Sequence, residues 1–178
     1  MSDQHYILTH SSCKVYPLAP KKSEICFEDI AHALSNICRW TGHCNEFFSV
    51  AQHSVYVSSL ASPENVLWGL LHDASEAYLC DLSRPVKRHP WLANYRLAEE
   101  NMMRVICEQF DLPTEMPEEI KEIDNRMIAT EARDLGFYSF VDEMGFVPYG
   151  FKIHPQDPVA AKQSFIEWYS VLSYRGLK

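Results

Sequence analysis

Residues 66–73 read VLWGLLHD, and this stretch decides the fold prediction because an apolar run ends abruptly in a histidine and an aspartate. The run belongs to a longer periodic segment that begins at Pro63, a residue favoured in the first turn of a helix, and continues to about Leu79. Further apolar residues would be less costly inside a helical core than His72 and Asp73. The segment therefore predicts a buried helix that carries a polar pair.

Apolar residues at helical spacing predict further helices on both sides of this segment. The predicted helices cover about residues 25–37, 50–60, 91–110, 117–135 and 158 onward. Three other stretches are predicted differently: a short extended or hairpin segment over residues 5–20, loop or short turns over 80–90, and an irregular region over 136–154. The pattern predicts an all-α, single-domain helical bundle over residues 1–178 with a short N-terminal extended or hairpin segment.

Length and charge restrict the class of protein. A chain of 178 residues with 47% hydrophobic residues fits one domain with a substantial core. The formal net charge of -8 argues against a nucleic acid polymer as partner, because phosphate backbones attract basic surfaces. No apolar run is long enough to span a membrane, and the first residues lack the basic and apolar parts of a signal peptide. We expect a cytoplasmic protein without a membrane partner.

The 6 cysteines are scattered along the chain and form no Cys-x-x-Cys pair. This spacing argues against a cysteine-rich zinc site. We expect reduced thiols that pack as small apolar groups, as is usual in the cytosol.

Polar residues interrupt the apolar faces of three predicted helices. His53 and Asp124 each lie on the apolar stripe of their own helix, and the pair His72-Asp73 lies on another. A buried carboxylate is costly unless it is paired or bound to a metal, and helix bundles build metal sites from side chains on facing helices. The pattern predicts that His53, His72, Asp73 and Asp124 bind one divalent metal ion. This mixed nitrogen and oxygen set suits Mn²⁺, Co²⁺, Fe²⁺ or Zn²⁺ better than Mg²⁺.

Each of these residues also fits a plainer interpretation. A single inward histidine is usually a hydrogen-bonded core residue, and an adjacent histidine and aspartate often end a helix. A buried aspartate such as Asp124 commonly pairs with a nearby cation, here Arg126 or Arg133. The metal interpretation is favoured because all the members occur in order on separate predicted helices.

Charged and aromatic residues near the predicted ligands extend the site. Glu76 lies one helical turn after the doublet, on the same face. Asp81 follows, and then come three cations that resemble a phosphate clamp: Arg84, Lys87 and Arg88. Arg39-Trp40 opens a glycine-containing loop, where the ring could stack on a base or sugar. The plainer alternatives are a solvated carboxylate for Glu76, a solvated basic loop for the three cations and a packed helix end for Arg39-Trp40.

These residues resemble a known family. The ordered set of histidines and aspartates resembles the HD-domain metal-dependent phosphohydrolases, all-α enzymes named for the histidine–aspartate doublet. The segments RWTGH (39–43), SVAQHSVYVS (49–58) and HDASEAYLCDLSRPVK (72–87) are similar to its small bacterial and phage branch, within a motif-bearing core of about residues 30–135. That branch contains 5'-deoxynucleotidases, prophage-encoded relatives and a phage dATP triphosphohydrolase. The 19 residues from the first histidine to the doublet are fewer than in the deoxynucleotidase pattern, which affects expected specificity and not the expected metal site.

The resemblance implies roles for residues at matching positions. It implies His53, His72, Asp73 and Asp124 as ligands of one divalent metal, with Mg²⁺ also among the candidate ions. It implies Glu76 as the acid–base residue and Asp81 as a group near the leaving oxygen. It implies Arg39 and Lys87 as phosphate contacts and Trp40 as part of the nucleoside pocket.

The function that these roles imply is hydrolysis of nucleotides by a homo-oligomeric enzyme. We expect a 5'-(deoxy)nucleotidase that converts a nucleoside monophosphate to nucleoside and phosphate. A dNTP triphosphohydrolase that releases triphosphate is the alternative, and an inactive nucleotide-binding scaffold is a third hypothesis.

Overall fold

The computed structural model describes residues 5–174 and residue 176, and most of these residues are helical. The helices are α1 (Phe27–Asn36), α2 (Val50–Leu60), α3 (Val66–Leu71), α4 (Glu76–Leu79), α5 (Arg84–Lys87), α6 (Ala93–Gln109), α7 (Glu118–Asp134), α8 (Tyr138–Met144) and α9 (Pro158–Tyr174). Single turns of 3-10 helix lie at Lys22–Glu24, Trp40–Gly42 and Pro90–Leu92. The predicted all-α fold is confirmed.

A small antiparallel hairpin precedes the helices. Its strands are β1 (Ile7–Leu8) and β2 (Lys14–Val15), with Ile7 opposite Val15 and Leu8 opposite Lys14. In the connecting turn, the backbone N–H and the hydroxyl of Ser11 each donate to the carboxylate of Asp29 on α1 at 2.7 Å. These bonds hold the hairpin on the bundle and confirm the predicted N-terminal segment.

Helix α2 lies in the middle of the bundle and packs against α1, α3, α7 and α9. One apolar cluster lies on its α1, α3 and α9 side, and its fully buried members include Ile30, Leu70, Leu71 and Phe165. A second cluster joins α2 to α7 and includes Phe48, Val57, Ile120 and Met127. Burial of each such side chain contributes about 1.5–3 kcal/mol. Because α2 is surrounded, most of its polar residues, among them His53, are buried.

The prediction of one continuous helix from Pro63 to Leu79 is wrong, because two turns interrupt this segment. Residues 63–65 form a turn, because the Glu119 carboxylate accepts hydrogen bonds from Ser62 N–H at 3.0 Å and from Asn65 Nδ2 at 2.5 Å. A second turn over residues 72–75 separates α3 from α4. There Ala74 N–H donates to Leu71 O at 2.9 Å, so the chain tightens from four-residue to three-residue spacing.

The predicted irregular region 136–154 contains α8, which packs against α7. Gly136 (φ +109°) and Gly145 (φ +69°) flank this short helix in left-handed conformations that other residues adopt at a cost. Two glycines therefore permit sharp turns on both sides of a helix whose aromatic residues carry no clear periodicity. The short helix α5 likewise lies within the predicted loop 80–90, which confirms a region of short turns.

Candidate metal site and cleft

Four predicted ligands meet where α2, the turn after α3 and α7 come together. The two imidazole Nε2 atoms of His53 and His72 lie 3.1 Å apart. Asp73 Oδ2 lies 3.2 Å from His72 Nε2, and Asp124 Oδ1 lies 3.2 Å from His53 Nε2. Donor atoms of His53, His72 and Asp73 thus converge, and Asp124, separated from His53 by four helices along the chain, joins them through its contact with His53.

Hydrogen bonds on the far side of each imidazole set its orientation. His72 Nδ1 lies 2.8 Å from Gly69 O, and His53 Nδ1 lies 2.5 Å from Glu131 Oε1. Both partners are acceptors, so each Nδ1 carries a proton, and in the neutral form of each imidazole the lone pair lies on Nε2, which faces the carboxylates. This is the tautomer that a metal-binding histidine requires.

The donor set fits a divalent cation. Ligand atoms of His53, His72 and Asp73 all lie within 4.8 Å of one another, so this group could hold a metal ion. Burial opposes ionisation of Asp73, but His72, His53 and Arg39 hold its pKa well below the usual range. An ionised carboxylate beside two lone-pair nitrogens is the chemistry of a site for a mixed-ligand dication.

The same electrostatics act on His53. Burial and Arg39 lower its pKa, but Glu131 and Asp124 raise it more, to about 9. Two carboxylates therefore favour positive charge at this imidazole, and a proton and a metal compete for its Nε2.

Asp124 forms an ion pair, as the plainer interpretation expected, but its partner is Arg84 instead of Arg126 or Arg133. Its Oδ2 accepts from Arg84 Nη2 at 3.2 Å. Arg126 Nε instead donates to Val147 O, and Arg133 Nε donates to Asp134 Oδ1. Asp124 Oδ1 thus remains directed at His53.

Glu131 is a site residue that the sequence interpretation missed. It is fully buried on α7, and Arg39 Nε and Trp40 Nε1 each donate to its Oε2 at 2.9 Å. Burial raises the pKa of Glu131, but Arg39 and His53 lower it overall. The signal was available, since Glu131 lies seven residues after Asp124 on the same face of α7.

Glu76 and Lys87 lie beside the ligands. Glu76 is 4% exposed, its Oε1 lies 3.5 Å from Lys87 Nζ, and its Oε2 has no hydrogen-bond partner. Burial raises the pKa of Glu76 well above its usual value, and Asp73 and Asp81 raise it further. Lys87 also donates to Glu99 at 2.7 Å. A carboxyl group with a raised pKa is suited to proton transfer.

Asp81 follows a strained residue. Cys80 has φ +69° and ψ 155°, a combination that glycine alone adopts readily, and such strain costs about 1–3 kcal/mol. The turn aims Asp81 into the site, where burial raises the pKa of its carboxyl group. All 6 cysteines lie within the described residues and are free thiols, but the predicted packing in the core holds fully only for Cys107, since Cys80 is exposed and the other four are half-buried.

A cleft of about 910 Å³ opens over this site. Its floor and rim hold both predicted phosphate contacts, two more cations and four carboxylates: Arg39, Lys87, Arg84, Arg88, Asp73, Glu76, Asp81 and Asp124. Its lining also has an apolar, largely aromatic wall that includes Trp40, Phe137, Phe140, Met144 and Phe146. The structure therefore brings every predicted site residue to one place, except that His53 and His72 lie beneath the surface of the cleft.

The Trp40 ring forms part of this wall. It stacks on Phe137 with ring centroids 4.4 Å apart and meets Phe140 edge-on at 6.4 Å. Trp40 and Thr41 have φ values of 56° and 54°, so the loop is held in a left-handed turn. Packing and the Glu131 hydrogen bond keep the indole in place.

Fold and site together define an all-α domain with a buried histidine–aspartate cluster under a cleft. The chain is 40% identical over 172 residues to the uncharacterized protein YfdR of Escherichia coli strain K12, a match that spans 94% of this chain and 96% of that protein. It therefore belongs to the same protein family as YfdR. It is also 34% identical over 113 residues to the uncharacterized protein RCAP_rcc00048 of Rhodobacter capsulatus, which covers 58% of this chain and 57% of that protein. No family model matches the chain. Within the described part of the chain, no helix has the length and apolar character needed to cross a membrane.

Proposed function

We propose that the protein is a divalent-metal-dependent phosphohydrolase of the HD-domain type, acting on nucleoside or deoxynucleoside 5'-monophosphates. The observation that carries the proposal is one cleft that combines convergent imidazole and carboxylate donors, several cations and an aromatic wall. A phosphate and a planar base are the two ends of a nucleotide, and the cleft offers complementary chemistry to both.

His53, His72, Asp73 and Asp124 would hold the metal, and Mn²⁺, Co²⁺, Fe²⁺ and Zn²⁺ suit these ligands better than Mg²⁺. A divalent ion there would supply Lewis-acid chemistry, since it neutralises charge on a phosphoryl group and makes water more acidic. We propose that the site binds one metal ion.

Glu76 would act as the acid–base residue. Glu76 lines the cleft, its Oε2 has no hydrogen-bond partner, and its raised pKa lets it accept a proton from water and return it to the leaving oxygen. Proton transfer by a positioned group of this kind contributes about 10²–10⁴-fold to a rate. Asp81 would act near the leaving oxygen.

Arg39 and Lys87 would hold the phosphate. Arg39 uses Nε to bind Glu131, which leaves the ends of its guanidinium to face Asp73 and the cleft. Lys87 lies between Glu76 and Glu99, so a phosphate oxygen would compete with Glu99 for its ammonium group. Fixed cations of this kind stabilise negative charge that develops on the phosphoryl group.

Hydrolysis of dNTPs with release of triphosphate is a second candidate. Arg84 and Arg88 line the same cleft and are more exposed than Lys87, so further phosphates extending toward solvent would meet cations. Identification of the reaction products therefore distinguishes a monophosphate substrate from a triphosphate substrate.

The proposal extends to where the enzyme works. Free thiols at all six cysteines fit the reducing cytoplasm. Large apolar side chains that are strongly exposed, such as Trp91 at 90% and Leu97 at 61%, support self-association into a homo-oligomer.

Product analysis tests the proposal. Protein loaded with Mn²⁺ or Co²⁺ is incubated with ribo- and deoxynucleoside mono- and triphosphates, and the products are separated. We expect nucleoside and inorganic phosphate from monophosphates, and at least a 100-fold loss with Asp124→Asn. The matched control is Asp111→Asn, which changes an exposed aspartate outside the cleft.

Triphosphate released from dNTPs would replace the nucleotidase with the second candidate. Metal-loaded protein that releases no product from any of these nucleotides would contradict both hydrolase proposals. If the inactive protein still bound nucleotides, the third hypothesis, an inactive nucleotide-binding scaffold, would be favoured.

A further inference from the structure

We propose that Glu131 is a positioning residue that couples the ligand His53 to the pocket residues Arg39 and Trp40. One buried carboxylate would then govern both metal affinity and the shape of the proposed nucleotide pocket. The inference rests on the proposed function only for its kinetic consequence.

Both oxygens of Glu131 are occupied by donors from different elements. Oε1 faces His53 Nδ1 at 2.5 Å on α2. Oε2 accepts from Arg39 Nε and Trp40 Nε1, each at 2.9 Å, on the loop between α1 and α2. The side chain is fully buried, so water does not substitute for any of these bonds.

Only a carboxylate satisfies this arrangement. The three partners are all N–H donors, and an ionised carboxylate accepts at both oxygens. An amide of the same shape would direct its NH₂ group either at the Arg39–Trp40 pair, where donor would face donor, or at His53, where it would drive the imidazole proton from Nδ1 to Nε2. The residue at position 131 must therefore be a negatively charged acceptor at both oxygens as well as having the right size.

The bond to His53 reaches the metal site through the imidazole. By accepting from Nδ1, Glu131 holds a proton on that nitrogen and turns Nε2, the nitrogen that a metal could bind, toward His72 and Asp124. Partners of this kind typically change metal affinity by about 10- to 100-fold when they are lost.

The bonds to Arg39 and Trp40 reach the cleft through the loop. Trp40 has φ 56° and stacks on Phe137, so its ring position depends on a left-handed turn that needs support from outside the loop. Glu131 supplies that support at the indole N–H and at the neighbouring guanidinium. Loss of the carboxylate should move the indole and loosen the phosphate contact together.

The test compares Glu131→Gln with Glu122→Gln, an exposed position on the same helix. Binding of Mn²⁺ or Co²⁺ is measured by calorimetry, and the environment of Trp40 by ¹⁹F NMR of protein labelled with 5-fluorotryptophan. We expect E131Q to bind the metal 10- to 100-fold more weakly and to shift the Trp40 resonance, assigned by Trp40→Phe. The other tryptophans and E122Q should show wild-type values.

Wild-type metal affinity in folded E131Q would overturn the proposal, and weaker metal binding without a change at Trp40 would overturn the coupling. If E131Q fails to fold, ¹⁵N NMR of histidine-labelled wild-type protein decides instead. There we expect the His53 proton on Nδ1 in the metal-loaded state, and a proton on Nε2 would refute the positioning role. Neither readout needs turnover, so both remain decisive if no nucleotide is hydrolysed. Where turnover is present, E131Q should also raise KM.

Discussion

At the scale of single residues, Glu76 combines features that structural carboxylates avoid. It is almost fully buried, one oxygen has no hydrogen-bond partner, and its pKa is raised. An unsatisfied buried oxygen costs about 1–3 kcal/mol. An oxygen left unsatisfied at this cost, beside a group that could hold a metal ion, supports a chemical role for Glu76.

Replacement of Glu76 by glutamine should separate binding from turnover. Glu76→Gln keeps the shape of the side chain and removes its proton transfer, so we expect unchanged metal affinity and a turnover lower by about 10²–10⁴-fold. Metal content and steady-state rates measure the two effects, with exposed Glu100→Gln as the control. Unchanged turnover in E76Q would assign the proton transfer to another group, and Asp81 would be tested next.

At the scale of elements, the contact between α2 and α3 sets the distance between His53 and His72. Gly69 lies at this contact, where an added Cβ would lie 2.9 Å from Ser58 Cα. The carbonyl of Gly69 also accepts from His72 Nδ1 at 2.8 Å. One glycine thus permits the close approach of two helices and orients an imidazole.

Gly69→Ala should push α3 away from α2. The contact is with backbone, which cannot move aside as a flexible side chain can, so we expect a loss of about 1–3 kcal/mol in the free energy of unfolding together with weaker metal binding. Chemical denaturation and calorimetry measure these effects. Gly150→Ala is the control, since an added Cβ there meets nothing within 4 Å. Equal stability of the two variants would show that the interface tolerates the methyl group.

The elements that were predicted correctly carry their own local signals. Helix α9 begins where Asp157 precedes Pro158, and Asp157 Oδ1 accepts from Ala160 N–H at 2.8 Å as a cap. Helix α2 begins where Ser49 Oγ accepts from Gln52 N–H at 3.1 Å. Helix α8 and the break over residues 72–75 were missed, because they depend on contacts with α7 and on glycine conformations that periodicity does not report.

At the scale of the whole molecule, metal binding should stabilise the fold, and more strongly at higher pH. The folded-state pKa of His53 is raised to about 9, so the stability that its proton contributes is present at low pH and is lost as pH rises toward that value. The metal replaces this proton, so its binding strengthens over the same range.

Thermal unfolding with Mn²⁺ and with a chelator tests this prediction at pH 6 and pH 8. At a metal concentration about 100 times Kd, stabilisation reaches about 2.7 kcal/mol. We expect chelation to lower Tm more at pH 8 than at pH 6, and Asp124→Asn to reduce the difference at both. If the chelator lowered Tm by the same amount at the two pH values, this result would contradict competition between metal and proton.

The chain carries a formal net charge of -8, yet Arg39, Arg84, Lys87 and Arg88 all line one cleft. Four carboxylates line the same cleft, so a bound dication would give it the excess positive charge that favours an anionic substrate. The charges that meet there come from residues far apart in the chain, and only folding makes them a site.

The sequence by itself determined the helical class, the N-terminal hairpin and the polar residues that interrupt apolar faces, because periodicity and the cost of burying charge are local properties. It also indicated His53, His72, Asp73 and Asp124 as a group, although it left their ion pairs open. Tertiary structure alone decided that Glu131 joins His53 to Arg39 and Trp40, since a buried carboxylate at helical spacing does not reveal its partners. It also decided that α8 closes the aromatic side of the cleft, because that depends on how residues distant in sequence pack.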